Sequence, residues 1–218
     1  MNNGIYLGIT TSEKETGIAL VKDNQVLFEK IDENGCRHNE TLFVDLAEAF
    51  KLLNISVKQL AGIGVVIGPG MFSSLRVGIA CAKGLAVVNN IPIKGFNTLD
   101  ALVFSLPKTI IAEQRIIVPT IDVKRGEVYF QVYQGTQPMS KPQIAKPEIM
   151  ALKIPANAIL LGSGISQYFE LVQSTAKTHF EVYQLFHPLP SAIARRAAEC
   201  IAQNDITDIE RLVPFYVR

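Results

Sequence analysis

Two stretches of this chain repeat one pattern. Residues 4–21 set an apolar run (Ile5-Tyr6-Leu7-Gly8-Ile9) before a polar turn (residues 10–16) and a second apolar run, Gly17-Ile18-Ala19-Leu20-Val21. Residues 115–133 do the same, with Ile116-Ile117-Val118-Pro119-Thr120-Ile121, then Asp122-Val123-Lys124-Arg125-Gly126, then Glu127-Val128-Tyr129-Phe130-Gln131-Val132. Short β-rich runs on either side of a polar turn read as hairpins. A hairpin that heads each half of a chain marks a duplicated unit. Val26-Leu27-Phe28 adds a third strand, and alternating helix-like and strand-like segments follow each hairpin. The expected fold is therefore α/β, with two lobes, each a mixed sheet flanked by helices. The 218 residues, 48% hydrophobic, are enough for two small packed lobes. Pro107-Lys108-Thr109 interrupts the apolar pattern within residues 106–114, so the expected domains are 1–106 and 107–218.

The second half is less regular. Residues 135–147 hold Pro138, Pro142 and Pro147 among polar residues and read as a long surface connection. A strand (Ile159-Leu160-Leu161), a tight turn (Gly162-Ser163-Gly164) and a helix over 165–173 come next. A last helix over 192–203 carries Ile193, Ala197 and Ile201 on one face.

Composition narrows the function classes. A net charge of +1 gives no basic field for strong unaided binding to nucleic acid, so any RNA role is expected to run through a partner. Cys36, Cys81 and Cys200 are odd in number and widely spaced, which suits buried thiols better than a disulfide or zinc framework. No basic leader with an apolar core precedes Tyr6 and no apolar run is long enough to span a bilayer, so a soluble, cytoplasmic protein is expected. His38, His179 and His187 are scattered and make no helical ligand pair, so no metal site is expected; His38 and His187 read as surface residues, His38 in a polar loop. No nucleophile elbow or Ser-His-Asp arrangement is present.

Two helices of the first half carry more information. Over residues 41–53, Leu42, Leu46, Ala49 and Leu53 form one apolar stripe, and Phe43, Ala47 and Phe50 form a second, turned by roughly 100°. A surface helix needs one such stripe, so the second asks for another helix or another chain. Over 74–88, Leu75, Ile79, Ala82 and Ala86 can face a sheet, leaving Arg76, Ala80, Lys83 and Val87 on a smooth far side with two cations. With Phe72, these residues (Phe43, Ala47, Phe50, Arg76, Ala80, Lys83, Val87) form the expected partner interface.

The second helix is reached from a strand over 62–67 through Ile67-Gly68-Pro69-Gly70-Met71-Phe72-Ser73-Ser74-Leu75-Arg76 and runs on to Ala82-Lys83-Gly84-Leu85-Ala86. Its first N–H groups can hold an anion or be capped by Ser73 or Ser74. This string is similar to the signature Gly-Pro-Gly-Ser-Phe-Thr-Gly-Leu-Arg and Ala-Lys-Gly-Leu-Ala of the TsaB/YeaZ family of bacterial tRNA threonylcarbamoyladenosine biosynthesis. Asp122-Val123-Lys124-Arg125-Gly126-Glu127-Val128-Tyr129 resembles the family's second hairpin, and Glu210 to Arg218 its ending on Pro-x-Tyr-x-Arg. That ending is expected to close as a strand or tail packed on the second lobe.

The resemblance implies two ribonuclease H-like lobes of the actin, Hsp70 and sugar-kinase superfamily. It implies a non-catalytic scaffold that binds and stabilises a TsaD-like catalytic paralogue during threonylcarbamoylation of the adenosine beside the anticodon, in tRNAs reading A-starting codons. It also implies a TsaE-like P-loop ATPase as a further partner, a homodimer when the paralogue is missing, and tRNA contact only through partners. The rival readings are a stand-alone actin-like ATPase or kinase, and a metallopeptidase. In the superfamily the two hairpins and a glycine turn hold nucleotide; here the corresponding residues are Thr11, Ser12, Asp122, Gly162 and Gly164, with Thr10 where the family has aspartate. A vestigial site is therefore expected, with no tightly bound cofactor and room for ATP or ADP at the subunit junction. Read from the residues, Thr10-Thr11-Ser12 is a hairpin turn, Asp122 belongs to a local charge network with Lys124 or Arg125, and Gly162-Ser163-Gly164 is a strand-to-helix turn.

Overall fold

The computed structural model describes residues 4–33 and 38–217, the side chains of residues 38–40 excepted. The chain divides into two units, the first holding residues up to 101 together with 188–216, the second holding 102–187.

In the first unit β1 (Ile5–Thr10), β2 (Thr16–Lys22) and β3 (Gln25–Asp32) form an antiparallel meander. Helix α1 (His38–Leu52) follows, so His38 heads a helix rather than lying in a loop. Strand β4 (Leu60–Gly68) lies parallel to β1, helix α2 (Phe72–Asn89) leads out of it, and β5 (Ile93–Asn97) runs parallel to β4. The sheet order is β3-β2-β1-β4-β5. Alternation along β1 sorts its two faces: Leu7 and Ile9 join Leu42, Leu46 and Ala49 of α1 and Ile79, Ala82 and Ala86 of α2 in one buried cluster. Each leucine or isoleucine buried this way contributes about 1.5–3 kcal/mol.

Helix α3 (Thr98–Phe104) leads out of the first unit, and the short α4 (Lys108–Ala112) opens the second. There, β6 (Ile116–Asp122) and β7 (Val128–Phe130) form the second hairpin, with Asp122 opposite Val128. They are followed by β8 (Tyr133–Gln134), β9 (Gln137–Pro138), β10 (Gln143–Ala145), α5 (Pro147–Ala151), β11 (Ala158–Leu161), α6 (Ser163–Thr175) and β12 (Phe180–Val182). The main path of this sheet is β10-β7-β6-β11-β12. It repeats the first sheet strand for strand. In each, the opening strand is central, its hairpin partner and a third strand lie on one side, and two parallel strands lie on the other.

Residues 135–147, expected as a long surface connection, instead hold β9, which pairs in a small hairpin with β8 just before them, and β10. Buried Tyr133 anchors that hairpin, and Pro138 opposite it ends a two-residue edge strand, where its missing N–H costs no ladder bond.

The division departs from the expected 1–106 and 107–218 at the C-terminal end. Helix α7 (Pro190–Ala202) returns to the first sheet and packs on β1, β2 and β4. Gly8 and Gly64, register partners on neighbouring strands, make this possible. A Cβ on Gly8 would lie 2.0 Å from the Pro190 carbonyl oxygen, and one on Gly64 2.8 Å from that of Ile193. The predicted stripe of α7 is used as expected, with Ile193 and Ala197 buried and Ile201 half-buried.

Candidate functional site

The docking residues expected from the sequence sit on α1 and α2, which touch each other on one face of the first sheet. The predicted inner stripes are buried except at Leu53, which lies just past the end of α1 and is half-buried. On the outer side Phe43 is 54% exposed, Phe72 56% and Val87 60%. Ala47, Ala80 and Arg76 are exposed too, and Lys83 is half-buried. Phe50 departs from the expectation, because it is half-buried and packs against the core beside Leu53. Exposed Val44, Met71 and Val88 extend the apolar surface and escape a strict four-residue stripe.

The start of α2 is fixed by its neighbours. Met71 N donates to the Ser12 carbonyl oxygen (2.8 Å), and Thr98 Oγ1 donates to the Pro69 carbonyl oxygen (2.7 Å). Met71 is the N-cap and has no capping side chain, so Ser73 and Ser74 lie inside the first turn and neither is the cap. Arg76, free in the sequence reading, is engaged: its Cζ stands 3.8 Å from the centroid of the Phe72 ring and its Nε donates to Tyr216 Oη (2.9 Å). Tyr216 stacks on Phe72 with ring centroids 5.0 Å apart. The C-terminal tail, expected on the second lobe, therefore fastens to the first unit. One sequence gives no means of pairing Tyr216 with a helix 140 residues away.

On α1 a buried carboxylate was missed as well. Asp45, its side chain 7% exposed, meets Lys30 Nζ of β3 at 2.7 Å, and Glu48 meets the same nitrogen at 2.7 Å. These two hydrogen bonds, that to Asp45 first, hold the Lys30 ammonium well above the usual lysine range.

The first hairpin is closed over. Thr11 and Ser12 are buried, and their hydroxyls, like that of Ser74, meet no hydrogen-bond partner among the described residues. A Cβ on Gly78 would lie 2.2 Å from Thr11 Oγ1, and one on Gly70 1.9 Å from the Ser12 carbonyl oxygen. Helix α2 thus presses on the turn, and neither hydroxyl faces solvent where a phosphate would arrive.

In the second unit Asp122 is consumed locally. Its carboxylate accepts from Lys124 N (2.9 Å) and pairs with Lys124 Nζ (2.7 Å), while its own N–H donates to Ser163 Oγ (3.1 Å). Of the two cations weighed, Lys124 is the partner. Tyr168 Oη reaches the same carboxylate at 3.4 Å, and burial first, then the Asp122 charge, pushes the phenol upward. Thr120 Oγ1 accepts from Ile165 N (2.8 Å) and donates to the Leu161 carbonyl oxygen (2.9 Å), tying β6, β11 and α6 together. Gly162 has φ +95°, and a Cβ there would lie 2.1 Å from the Thr120 carbonyl oxygen. One on Gly164 would lie 2.9 Å from the Thr120 side chain. Both glycines serve a close strand-to-helix packing, as the residue-level reading expects.

Among the described residues no three His, Cys, Asp or Glu side chains gather to hold a metal, and no helix is long and apolar enough to cross a membrane. Cys81 and Cys200 are buried; burial pushes the Cys81 thiol up to about 11 and raises that of Cys200. Cys36 lies outside the described residues.

The family model described as TsaD, tRNA N6-adenosine threonylcarbamoyltransferase, matches residues 33–206. The tRNA threonylcarbamoyladenosine biosynthesis protein TsaB of Bacillus subtilis (strain 168) is 26% identical over 97% of this chain and 93% of its own. The chain belongs to the TsaD family, and its likeness to TsaB runs nearly its whole length.

The likeness to the transferases covers much less of each chain. The tRNA N6-adenosine threonylcarbamoyltransferase of Fervidobacterium nodosum is 34% identical, but over 46% of this chain and 34% of its own length. The matched segment thus spans about a third of that relative. YeaZ from Pseudomonas aeruginosa superposes with a TM-score of 0.81 at 18% identity, covering 97% of this chain and all of the other. The two-lobed α/β duplication expected from the paired hairpins is met, and so is the actin-like, ribonuclease H-like fold that the resemblance implied.

Proposed function

We propose that this TsaB/YeaZ-type chain is a non-catalytic scaffold for threonylcarbamoylation of the adenosine beside the anticodon, in tRNAs reading A-starting codons. It binds a TsaD-like catalytic paralogue through α1 and α2 and stabilises the conformation competent for transfer, by binding that state more tightly than others. The observation that carries this reading is the outer surface of the two helices. Phe43, Phe72 and Val87 are each more than half exposed beside Arg76 and Lys83, although the inner stripes already complete the core. Apolar anchors rimmed by cations suit a partner helix bearing carboxylates. The closed first hairpin and the internally satisfied Asp122 favour a supporting role over nucleotide chemistry in this chain. ATP or ADP, where needed, is supplied by partners or held at the subunit junction. A TsaE-like P-loop ATPase joins the assembly for turnover, tRNA is met through the partners, and a homodimer forms on the same face when the paralogue is absent.

The test is reconstitution. Unmodified tRNA, the TsaD-like and TsaE-like proteins and the threonylcarbamoyl donor are incubated with and without this chain, and threonylcarbamoyladenosine is measured in nuclease digests. The modified nucleoside is expected only with the chain present. Equal yield without it contradicts the scaffold role, and ATP hydrolysis by the chain alone supports an actin-like ATPase instead.

A further inference from the structure

The last residues of the chain run from α7 to the outer surface of α2. Along β5, an edge of the first sheet, Thr207 N donates to the Ile93 carbonyl oxygen (2.8 Å), Gly95 N donates to Thr207 Oγ1 (3.0 Å), and Asp205 pairs with Lys94. Leu212 is buried in the cluster under α1 and α2, and Phe215 N donates to the Ile67 carbonyl oxygen at the end of β4 (2.8 Å). Tyr216 then reaches Phe72 and Arg76, the aromatic anchor and the first cation of the docking face.

This geometry has a chemical consequence. Arg76 lies over the Phe72 ring and spends Nε on Tyr216 Oη, so its guanidinium plane is set by two groups, while among the described residues neither terminal nitrogen meets a partner. A guanidinium already held in one plane loses less freedom when it meets a carboxylate bidentately. Tyr216 and Phe215 are themselves partly exposed, so the tail contributes surface as well as order.

We propose that the C-terminal segment is a brace built into the docking face: Tyr216 holds Phe72 and Arg76 in the arrangement that a carboxylate-bearing helix of the TsaD-like paralogue meets. The proposal rests on the partnership described above. Charge identifies the paralogue, rather than a second copy, as the occupant. Helix α2 carries Arg76 and Lys83 and no carboxylate, and the described carboxylates of α1, Asp45 and Glu48, already meet Lys30. A second copy would bring cations to cations, which makes the homodimer the weaker pairing on this face, whereas a paralogue with its own sequence can supply the missing acids.

The experiment is calorimetry of the full-length chain against the same cell's TsaD-like protein, with wild type, Tyr216→Phe, Tyr216→Ala, Arg76→Ala and the Tyr216→Ala/Arg76→Ala double variant. Tyr216→Ala is expected to weaken binding about tenfold, and Tyr216→Phe, which keeps the stacked ring, about threefold. On the Arg76→Ala background Tyr216→Ala should add only the roughly threefold share of the ring stacked on Phe72, because the hydroxyl acts through the arginine. Should Tyr216→Ala lower the melting temperature, Tyr216→Phe decides alone. Binding of Tyr216→Ala or Tyr216→Phe at wild-type strength, or full multiplication of the Tyr216 and Arg76 effects, overturns the brace while leaving the partnership intact. A wild type that does not bind overturns both.

Discussion

Gly78 is where the first hairpin and α2 lock together. A methyl there would sit 2.2 Å from Thr11 Oγ1 and 3.0 Å from Thr11 Cγ2. Overpacking of this kind costs about 1–3 kcal/mol, so Gly78→Ala should lose about 2 kcal/mol in urea denaturation. Thr11→Ala removes both clashing atoms together with a buried hydroxyl that meets no described partner. The Thr11→Ala/Gly78→Ala pair should therefore be more stable than Gly78→Ala alone, and strict additivity of the two changes would argue against the packing described. Residues such as these were only partly legible. Asp122 reads as a local charge network because a carboxylate two residues before a lysine in a tight turn has few other partners. The burial of Thr11 did not read at all, since it depends on a glycine 67 positions away whose role is to have no side chain. Asp45 escaped for a similar reason: its partner Lys30 lies on another element.

Element by element, periodicity read well wherever one face was buried. The inner stripes of α1, α2 and α7 fell where their spacing put them, because a helix in a small lobe must bury a continuous row. The outer stripe of α1 was legible as surplus apolar residues, but Phe50 turned out to be shared with the core. The β8–β9 hairpin and β10 were illegible, since strands of two or three residues carry no period and prolines mask them. The tail was assigned to the wrong unit because its fastenings are single long-range bonds. One of these gives a pH prediction. The Lys94 hydrogen bond, ahead of any other cause, holds the Asp205 carboxyl below its ordinary value of 3.8. A depressed carboxylate contributes stability that is fully present above the ordinary value and lost as pH falls through the lowered one. Carboxyl-carbon NMR titration should place the Asp205 midpoint below 3.8, and Lys94→Met should raise it. A midpoint unmoved by Lys94→Met would detach the tail from this anchor.

At the scale of the whole molecule, two hairpins in a linear sequence were enough to announce two lobes, each with a mixed sheet, while the strand order that the two sheets share is seen only in the structure. The point at which the chain divides was less accessible: α7 belongs by sequence position to the second half and by packing to the first. Its seat is made by two glycines on adjacent strands, a signal that becomes readable only once β1 and β4 are known to be neighbours. The same molecule leaves exposed, on α1 and α2, apolar groups that its own core does not require. What covers them decides the function proposed for this surface. The most direct measurement is size-exclusion chromatography and calorimetry of the co-expressed TsaD-like protein with wild type and with Phe43→Asp/Val87→Asp, both residues being more than half exposed. A complex with the wild type, weakened at least about a hundredfold in the variant at an unchanged melting temperature, is the predicted result. Failure of the wild type to associate, or association that ignores both aspartates, would contradict it.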